Sequence, residues 1–191
     1  EGCVNRGVAR ATAEVLFKEI EDFASYAFNK SHAAAYAYVA YQTAYLKCHY
    51  PQEYMAALLS SVLGYTVKVA EYTEECKRLG LAVLPPHINF SGVGFTADGE
   101  SIRFGLAAVK NLGRGVIARM EQERRLNGPF TSFYDFCKRM AGKEMNRRAI
   151  ESLVKCGALD GLGHNRREML LAVEQILGAL EVDKRRNLEG Q

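Results

Sequence analysis

Apolar residues recur at helical spacing along the first part of the chain. Within residues 5–27 this spacing predicts one amphipathic helix. Its apolar positions are Val8, Val15, Leu16, Ile20 and Phe23. A polar elbow at 28–31 interrupts the pattern, and Ser31 is expected to cap a second helix from His32 to His49.

Two further helices are expected before residue 84. Pro51 suits the first turn of a helix that runs to about Leu63, because the missing N–H of proline needs no partner there. Another helix is predicted from Val67 to Leu79, since Gly80 provides a typical left-handed stop.

A strand pattern follows these helices. Val93–Thr96 and Ser101–Phe104, joined by an Asp98-Gly99 turn, predict a short β-hairpin. Pro85-Pro86 ends the helical part before it. A domain boundary is therefore expected between residues 84 and 102.

Short helices separated by glycines are predicted from residue 105 onward. The expected helices are 106–110, 115–126, 133–140 with Ser132 as cap, 147–156 with Asn146 as cap and Gly157 as stop, and a last one from Asn165 to about Leu180. The charged tail 181–191 shows no pattern and is expected to fray. The chain is thus predicted to be mainly α.

The composition is that of an ordinary globular protein, with 48% hydrophobic and 25% charged residues among 191. No apolar run reaches the roughly 18–20 residues that span a bilayer. Five scattered cysteines without a CxxC pair argue against a disulfide framework or a zinc site and favour a reducing cytoplasm. The first residue is glutamate, so an excised piece of a longer protein is expected.

The positive charge is concentrated in one segment. Residues 103–167 hold 14 Lys and Arg against 6 Asp and Glu, whereas the whole chain has a net charge of only +3. A basic block on a neutral background favours a polyanionic partner. A solvated basic face without a partner remains the alternative.

A Gly-x-Gly bend lies within this basic segment. In Leu112-Gly113-Arg114-Gly115-Val116-Ile117 the glycines let backbone N–H groups point outward at a helix N-terminus, which forms a phosphate site. The bend resembles a helix-hairpin-helix motif, and a divergent second copy is expected around the turn 157–163. Two such units would bind duplex backbone without reading sequence. The candidate DNA-binding residues are Lys110, Asn111, Gly113, Arg114, Gly115, Arg119, Arg147, Arg148, Arg166 and Arg167.

The elbow and the helix after it form a second candidate site. Asn29, Lys30, Ser31 and His32 place donors at a helix N-terminus, again a geometry for phosphate oxygens. Farther along this helix, Tyr38, Tyr41 and Tyr45 share one side, and Tyr36 lies on another. Gln42 and Lys47 add long polar side chains. Packing against neighbouring helices is the simpler interpretation of Tyr38 and Tyr45.

The run FNKSHAAAYAYVAYQTAYLKCHYPQEYMAALLSS resembles the fingers domain of the family C DNA polymerases, the bacterial replicative DNA polymerase III alpha subunits. LGLAVLPPHIN, IRFGLAAVKNLG and NRRAIESLVKCGALDGLG match in the same order, so the resemblance covers roughly residues 1–175. It implies the C-terminal part of the fingers at 1–84, a connector with a β-hairpin at 85–104, a tandem helix-hairpin-helix domain at 105–180 and a tail at 181–191.

The resemblance also implies roles for residues and partners. Asn29, Lys30, Ser31 and His32 are expected to contact the triphosphate of the incoming deoxynucleotide (dNTP), with Tyr36, Tyr41 and Gln42 nearby. The implied partners are primer-template duplex, dNTP, the other polymerase domains and replisome subunits, in the cytoplasm and without a membrane. Family C enzymes hold Mg²⁺ on palm aspartates. The sequence has no closely spaced Asp pair, so no catalytic residue, metal site or cofactor is expected in this chain, and it is not expected to polymerise alone.

Two other classes of protein stay open. A base-excision glycosylase also uses a helix-hairpin-helix, but its hairpin is followed by a catalytic Asp, and here none occurs between Lys110 and Asp135. A stand-alone helix-hairpin-helix or subunit-interaction module is the other, since Ala33, Ala34 and Ala35 allow close approach of a partner surface.

Overall fold

The computed structural model describes residues 1–25, 29–140, 142 and 145–189, and the fold is mainly α, as predicted. The helices of this range are α1 (Arg10–Ser25), α2 (Lys30–His49), α3 (Pro51–Ser61), α4 (Thr66–Arg78), α5 (Arg114–Asn127), α6 (Phe133–Met140), α7 (Arg147–Lys155) and α8 (Arg166–Glu189). The strands are β1 (Ala82–Leu84), β2 (Thr96–Asp98) and β3 (Ser101–Arg103). Single 3-10 turns lie at Val4–Arg6 and Leu106–Ala108. The chain divides into two compact units, Glu1–His49 and Tyr50–Gln191.

The first unit consists of a 3-10 turn, α1 and α2. Gly7 has a left-handed backbone (φ 86°) that ends the turn, so the single helix predicted over 5–27 begins only at Arg10. Residues 26–28, which include the start of the predicted elbow, lie outside the described range. α2 begins at Lys30, and Asn29 Oδ1 accepts a hydrogen bond from the Ser31 N–H at 2.9 Å. The cap is therefore Asn29, and the prediction that Ser31 caps this helix is wrong.

In the second unit, α3 and α4 pack on a three-stranded sheet. Pro51 occupies the first turn of α3, as predicted. The β2–β3 hairpin is confirmed, although its first strand begins at Thr96 and not at Val93. β1 was not predicted from the sequence; it pairs in parallel with β3 and gives the order β1-β3-β2. The core here comprises Met55, Ala56, Leu59, Val69, Cys76, Leu81, Phe95 and Ile102.

This packing joins residues 50–84 to the segment that carries the strands. Because α3 and α4 share a core with the strands, residues 50–84 belong to the same compact unit as the hairpin. The compact units separate after His49, and a boundary of functional domains between residues 84 and 102 stays a prediction. The functional assignment of 1–84 to a fingers domain stays a prediction.

The four helices α5–α8 enclose the larger core. It includes Ile117, Met120, Phe130, Phe133, Phe136, Met140, Ile150, Leu153, Leu159 and Val173. α6 has its predicted bounds, and Ser132 Oγ accepts from the Asp135 N–H at 3.0 Å, as expected of its cap. The predicted helix 106–110 is only a 3-10 turn. α8 continues to Glu189, past the predicted end at Leu180, so the tail is helical to that residue; residues 190 and 191 lie outside the described range.

Candidate nucleic-acid interface

The first hairpin joins the Leu106–Ala108 turn to α5. Val109 and Leu112 are buried on either side of Lys110 and Asn111, which are exposed, so the loop is anchored by its apolar residues. Asn111 has φ 62°, the one positive φ outside glycine in the described residues. Asparagine tolerates this left-handed conformation better than most side chains. The loop therefore reverses the chain direction within a few residues.

The N-terminus of α5 has no side-chain cap. Gly113 is the N-cap, with φ −78° and ψ 152°, and its carbonyl accepts from the Ile117 N–H at 3.2 Å. A Cβ added at Gly113 would meet no atom within 4 Å. The first-turn N–H groups of Arg114, Gly115 and Val116 precede the first intrahelical bond and face outward. This end of α5 is thus open to an anion.

A hydrogen bond joins the first hairpin to α7. Asn111 Nδ2 donates to Ser152 Oγ at 3.0 Å, and Ser152 Oγ in turn donates to the carbonyl of Arg148 at 2.8 Å. Arg148 lies one helical turn before Ser152, so both side chains project from the same face of α7. The bond brings Lys110, which adjoins Asn111, to the side of the domain that carries Arg148.

The second hairpin follows α7, as predicted. Gly157 has φ 83° and its N–H donates to the Val154 carbonyl at 3.1 Å, while the Ala158 N–H donates to the Leu153 carbonyl at 3.0 Å. These two bonds form a Schellman motif, which confirms the predicted stop at Gly157. Two more left-handed glycines, Gly161 and Gly163, complete the turn.

Carboxylates occupy the N-terminus of α8. Asn165 Oδ1 accepts from the Glu168 N–H at 3.0 Å, and Glu168 Oε2 accepts from the Asn165 N–H at 3.1 Å, which is a reciprocal capping box. Asp160 accepts two hydrogen bonds from Arg166, one of them from Nε at 2.9 Å. This bond to Arg166 lowers the pKa of Asp160 below its ordinary value, so the carboxylate is charged at neutral pH.

The segment after the prolines covers the second hairpin. The Ile88 N–H donates to the Ala158 carbonyl at 2.9 Å. His87 Nδ1 accepts from the Asn89 N–H at 3.0 Å. Burial, followed by the charge of Arg103, lowers the pKa of His87. The imidazole is therefore neutral at neutral pH and part of the fold.

Several of the basic residues counted in the sequence hold the fold together. Among the predicted DNA-binding residues, Arg119 donates to the Arg139 carbonyl at 3.1 Å, Arg147 pairs with Glu151 and Glu174, and Arg166 pairs with Asp160. Arg139 donates to three carbonyls, those of Glu123 at 2.7 Å, Gly128 at 3.0 Å and Pro129 at 3.4 Å. Charge counting missed these structural roles, since a sequence does not show which cations face backbone carbonyls.

Four of the predicted cations lack such partners. Lys110, Arg114, Arg148 and Arg167 are exposed and form no ion pair with another described residue. Three of them lie at or near the first hairpin and the N-terminal turn of α7, and Arg167 lies in the first turn of α8. The surface formed by unpaired candidate cations is thus smaller than the excess of positive charge in residues 103–167 indicated.

The elbow and the tyrosine helix occupy the other unit. Lys30 and Ser31 lie exposed in the first turn of α2, while Asn29 is also exposed and uses its oxygen for the cap. The His32 ring contacts Tyr36 at a centroid distance of 4.3 Å. Gln42 lies twelve residues after Lys30, about 18 Å along the axis.

The tyrosine side chains are exposed. The exposed fractions are 63% for Tyr36, 66% for Tyr38, 67% for Tyr41 and 46% for Tyr45. Packing of Tyr38 and Tyr45 into a core of this unit is therefore not what the structure shows; Tyr45 stacks instead on His49 at 4.3 Å. The rings present an aromatic surface along α2.

The described residues bring no three His, Cys, Asp or Glu side chains together as a metal site. No helix within the described ranges has the length and apolar character to cross a membrane.

Comparison with known proteins first defines the class. Residues 80–169 match the family model of the helix-hairpin-helix motif, in agreement with the two hairpins just described.

The comparison with curated proteins defines the family. The chain is 51% identical over 92% of its length to the DNA polymerase III subunit alpha of Thermus aquaticus. It is 45% identical over its whole length to that of Xylella fastidiosa, and 44% identical over 96% to that of Mycobacterium tuberculosis. These matches confirm the resemblance: the chain is a homologue of part of the DNA polymerase III alpha subunit. It spans 14–16% of the length of these relatives.

Proposed function

We propose that the chain is a segment of a bacterial replicative DNA polymerase that holds duplex DNA and helps to bind the incoming dNTP. The observation that supports this proposal most is the uncapped N-terminus of α5, which lies beside exposed cations that form no ion pair with another described residue. The relatives of the chain are DNA polymerase III alpha subunits. In this proposal residues 1–84 belong to the fingers, 85–104 to a connector and 105–180 to a tandem helix-hairpin-helix domain.

Duplex binding is proposed to be independent of sequence. The donors at the first hairpin are backbone N–H groups and the side chains of Lys110 and Arg114, which suit phosphate oxygens. Contacts to phosphate fix position on the duplex but carry no direct information about the bases. Arg148 on the adjoining face of α7 supplies a further cation. The product duplex behind the active site is the expected ligand.

Binding of the dNTP triphosphate is assigned to the start of α2. Lys30 is exposed there beside the helix N-terminus, where a positive side chain and the helix dipole favour the same anion. Of the Asn29 side chain, only the oxygen has a hydrogen-bond partner among the described residues, so its amide N–H groups are proposed to serve a ligand. His32 adds a ring donor, and Tyr36, Tyr41 and Gln42 are proposed to lie nearer the sugar or the templating base.

The chain alone is proposed to be non-catalytic. Asp98 pairs with Arg103, Asp135 with Arg139, and Asp160 with Arg166, so these carboxylates are committed to the fold. Mg²⁺, the other polymerase domains and replisome subunits would be met only in the parent enzyme. The five cysteines are free, which supports a reducing cytoplasm as its place.

Titration of a labelled duplex with the chain tests the DNA-binding part. Anisotropy is measured at 50 and 200 mM salt on two duplexes of unrelated sequence. We expect binding that weakens with salt equally for both duplexes, and that weakens further in Arg114→Gln. Arg125→Gln, which removes the same charge near the other end of α5, is the matched control and is expected to bind nearly as the parent chain does. Absence of binding, or binding indifferent to salt, contradicts the proposal.

The dNTP part is tested in the full-length subunit that contains this segment. We expect Lys30→Gln to raise KM for dNTP while the affinity for primer-template is kept, because the lost charge faces the triphosphate. Lys18→Gln on α1 is the control for loss of an exposed lysine. Equal KM values for both variants would contradict the assignment.

A subunit-interaction module is the second candidate, favoured by the apolar face of α1. Phe17, Ile20 and Phe23 are 67, 63 and 64% exposed and lie at helical spacing, a pattern typical of a face that meets another surface. Concentration-dependent association in analytical ultracentrifugation without any duplex binding would favour this candidate.

A further inference from the structure

The two hairpins differ in what their helix N-termini can accept. The α5 end is uncapped, whereas Glu168 already accepts the Asn165 N–H at the α8 end. The Asp160 carboxylate lies on Arg166 beside the same end. The chain's own carboxylates thus occupy this end: Glu168 takes part in its capping box, and Asp160 is paired with Arg166, the first residue of α8.

The loop of the second hairpin differs from the first in that its opening residues are buried. Gly157, Ala158 and Leu159 are buried, and the Ala158 carbonyl accepts from the Ile88 N–H. In the first hairpin Lys110, Asn111 and the residues 113–115 are all exposed. Only the start of the second loop is thus buried, and its residues 160, 161 and 163–165 are exposed like those of the first loop.

The Asn111–Ser152 hydrogen bond connects the first hairpin to the helix before the second hairpin. Ser152 lies on α7, the helix that leads into the second hairpin, so whatever fixes α7 also fixes the first loop. On the other side, Arg147 pairs with Glu151 and with Glu174 of α8 and holds α7 to that helix. The second hairpin and its ion pairs hold the surface that carries Lys110, Arg114 and Arg148.

We propose that the tandem is functionally asymmetric: the first hairpin and Arg148 contact the duplex, while the second hairpin positions them and makes no phosphate contact. This inference rests on the proposed duplex binding. It removes Arg147, Arg166 and Arg167 from the set of phosphate contacts and makes Asn111 and Ser152 positioning residues.

The asymmetry predicts a small salt dependence. Each phosphate contact made by a cation contributes about −0.9 to the slope of log affinity against log salt on B-DNA. Contacts by Lys110, Arg114 and Arg148 alone give a slope of about −2.7. Adding Arg147, Arg166 and Arg167 would give about −5.4.

Matched charge-removing variants of the chain test the inference. Arg114→Gln, Arg148→Gln and Arg167→Gln each delete one exposed arginine, and circular dichroism confirms that each variant is folded. Arg114→Gln and Arg148→Gln are expected to lower affinity for a labelled duplex and to reduce the salt slope by about 0.9, whereas Arg167→Gln leaves the slope unchanged.

The outcomes separate the inference from its premise. A parent chain that does not bind duplex overturns the proposed function itself. A parent chain that binds, with Arg167→Gln reducing the slope as much as Arg114→Gln does, overturns the asymmetry alone. A loss of slope confined to Arg114 and Arg148 supports both.

Discussion

Asn111 Nδ2 lies 3.0 Å from Ser152 Oγ, so a residue in a left-handed loop conformation is bonded to the middle of α7. The two residues are 41 positions apart, and their bond joins the first hairpin to the helix before the second. A neutral hydrogen bond of this kind contributes about 0.5–1.5 kcal/mol to stability. Because the bond holds the loop against α7, it also sets the orientation of the first hairpin towards a ligand.

The bond is expected to affect duplex affinity through loop position. Asn111→Gly keeps the left-handed backbone and removes the amide, and Ser152→Ala removes the other partner. Each variant should weaken duplex binding by a few-fold with little change in salt slope, because no phosphate contact is lost. The double variant should bind as weakly as either single one, since both delete the same bond. Additive losses would show that the two residues act separately.

Asn111→Ala serves as the contrasting variant. Alanine disfavours the left-handed region by about 1–2 kcal/mol, so this change should lower the free energy of unfolding more than Asn111→Gly does. Urea denaturation of the two variants measures the difference. Equal stabilities would mean that the loop relaxes away from φ 62° when the amide is lost.

Gly113→Ala separates ligand approach from fold. A Cβ at this position meets no atom of the chain within 4 Å and φ is −78°, so the backbone accepts alanine. Alanine is less favourable than glycine at an N-cap, and this lowers the free energy of unfolding by about 1 kcal/mol at most. A phosphate on the α5 N-terminus would, however, meet the new methyl group. We expect the variant to fold cooperatively and to bind duplex markedly less well; unchanged affinity would place the phosphate elsewhere.

Much of this arrangement was predictable because it is local. Asn146 caps α7 by accepting the Ala149 N–H at 3.0 Å, and Gly157 stops that helix, both as the sequence indicated. Long-range pairings were not predictable in the same way. β1 is only three residues long and finds its partner in β3, seventeen or more residues later, so no local period marks it. The cation count failed for the same reason, since the partners of Arg124 and Arg139 are distant backbone carbonyls.

Arg139 is expected to be a stability residue that lysine does not replace. Its guanidinium donates to three carbonyls and lies 4.3 Å from the centroid of the Phe130 ring. Lysine cannot supply the planar fork of donors, so Arg139→Lys should cost about 1–3 kcal/mol in the free energy of unfolding. Lys138→Ala changes the exposed neighbouring position and should be nearly neutral. Chemical denaturation of both variants measures the contrast, and similar midpoints would refute this role.

His87 is expected to make the second unit less stable at mildly acidic pH. Nδ1 accepts from the Asn89 N–H, Arg103 and Arg124 disfavour a positive ring, and Asp160 favours one. Burial is the largest influence, and together with these charges it lowers the pKa of His87 below its ordinary value of 6.5. The unfolded chain therefore binds the proton more readily, and stability falls as the pH drops below about 6.5 towards the folded-state pKa.

His87→Gln should flatten this pH dependence, because glutamine has both an acceptor and a donor but does not titrate between pH 7.5 and 5. The free energy of unfolding is measured by urea titration at several pH values in that window. His49→Gln on α2 lies in the other compact unit and should leave the slope of the parent chain intact. The lowered pKa of Asp160 acts only at more acidic pH, since its stabilising charge is lost as pH falls below the ordinary range of aspartate. A parent chain with the same stability at pH 7.5 and 5 would show that the imidazole is not held neutral by the fold.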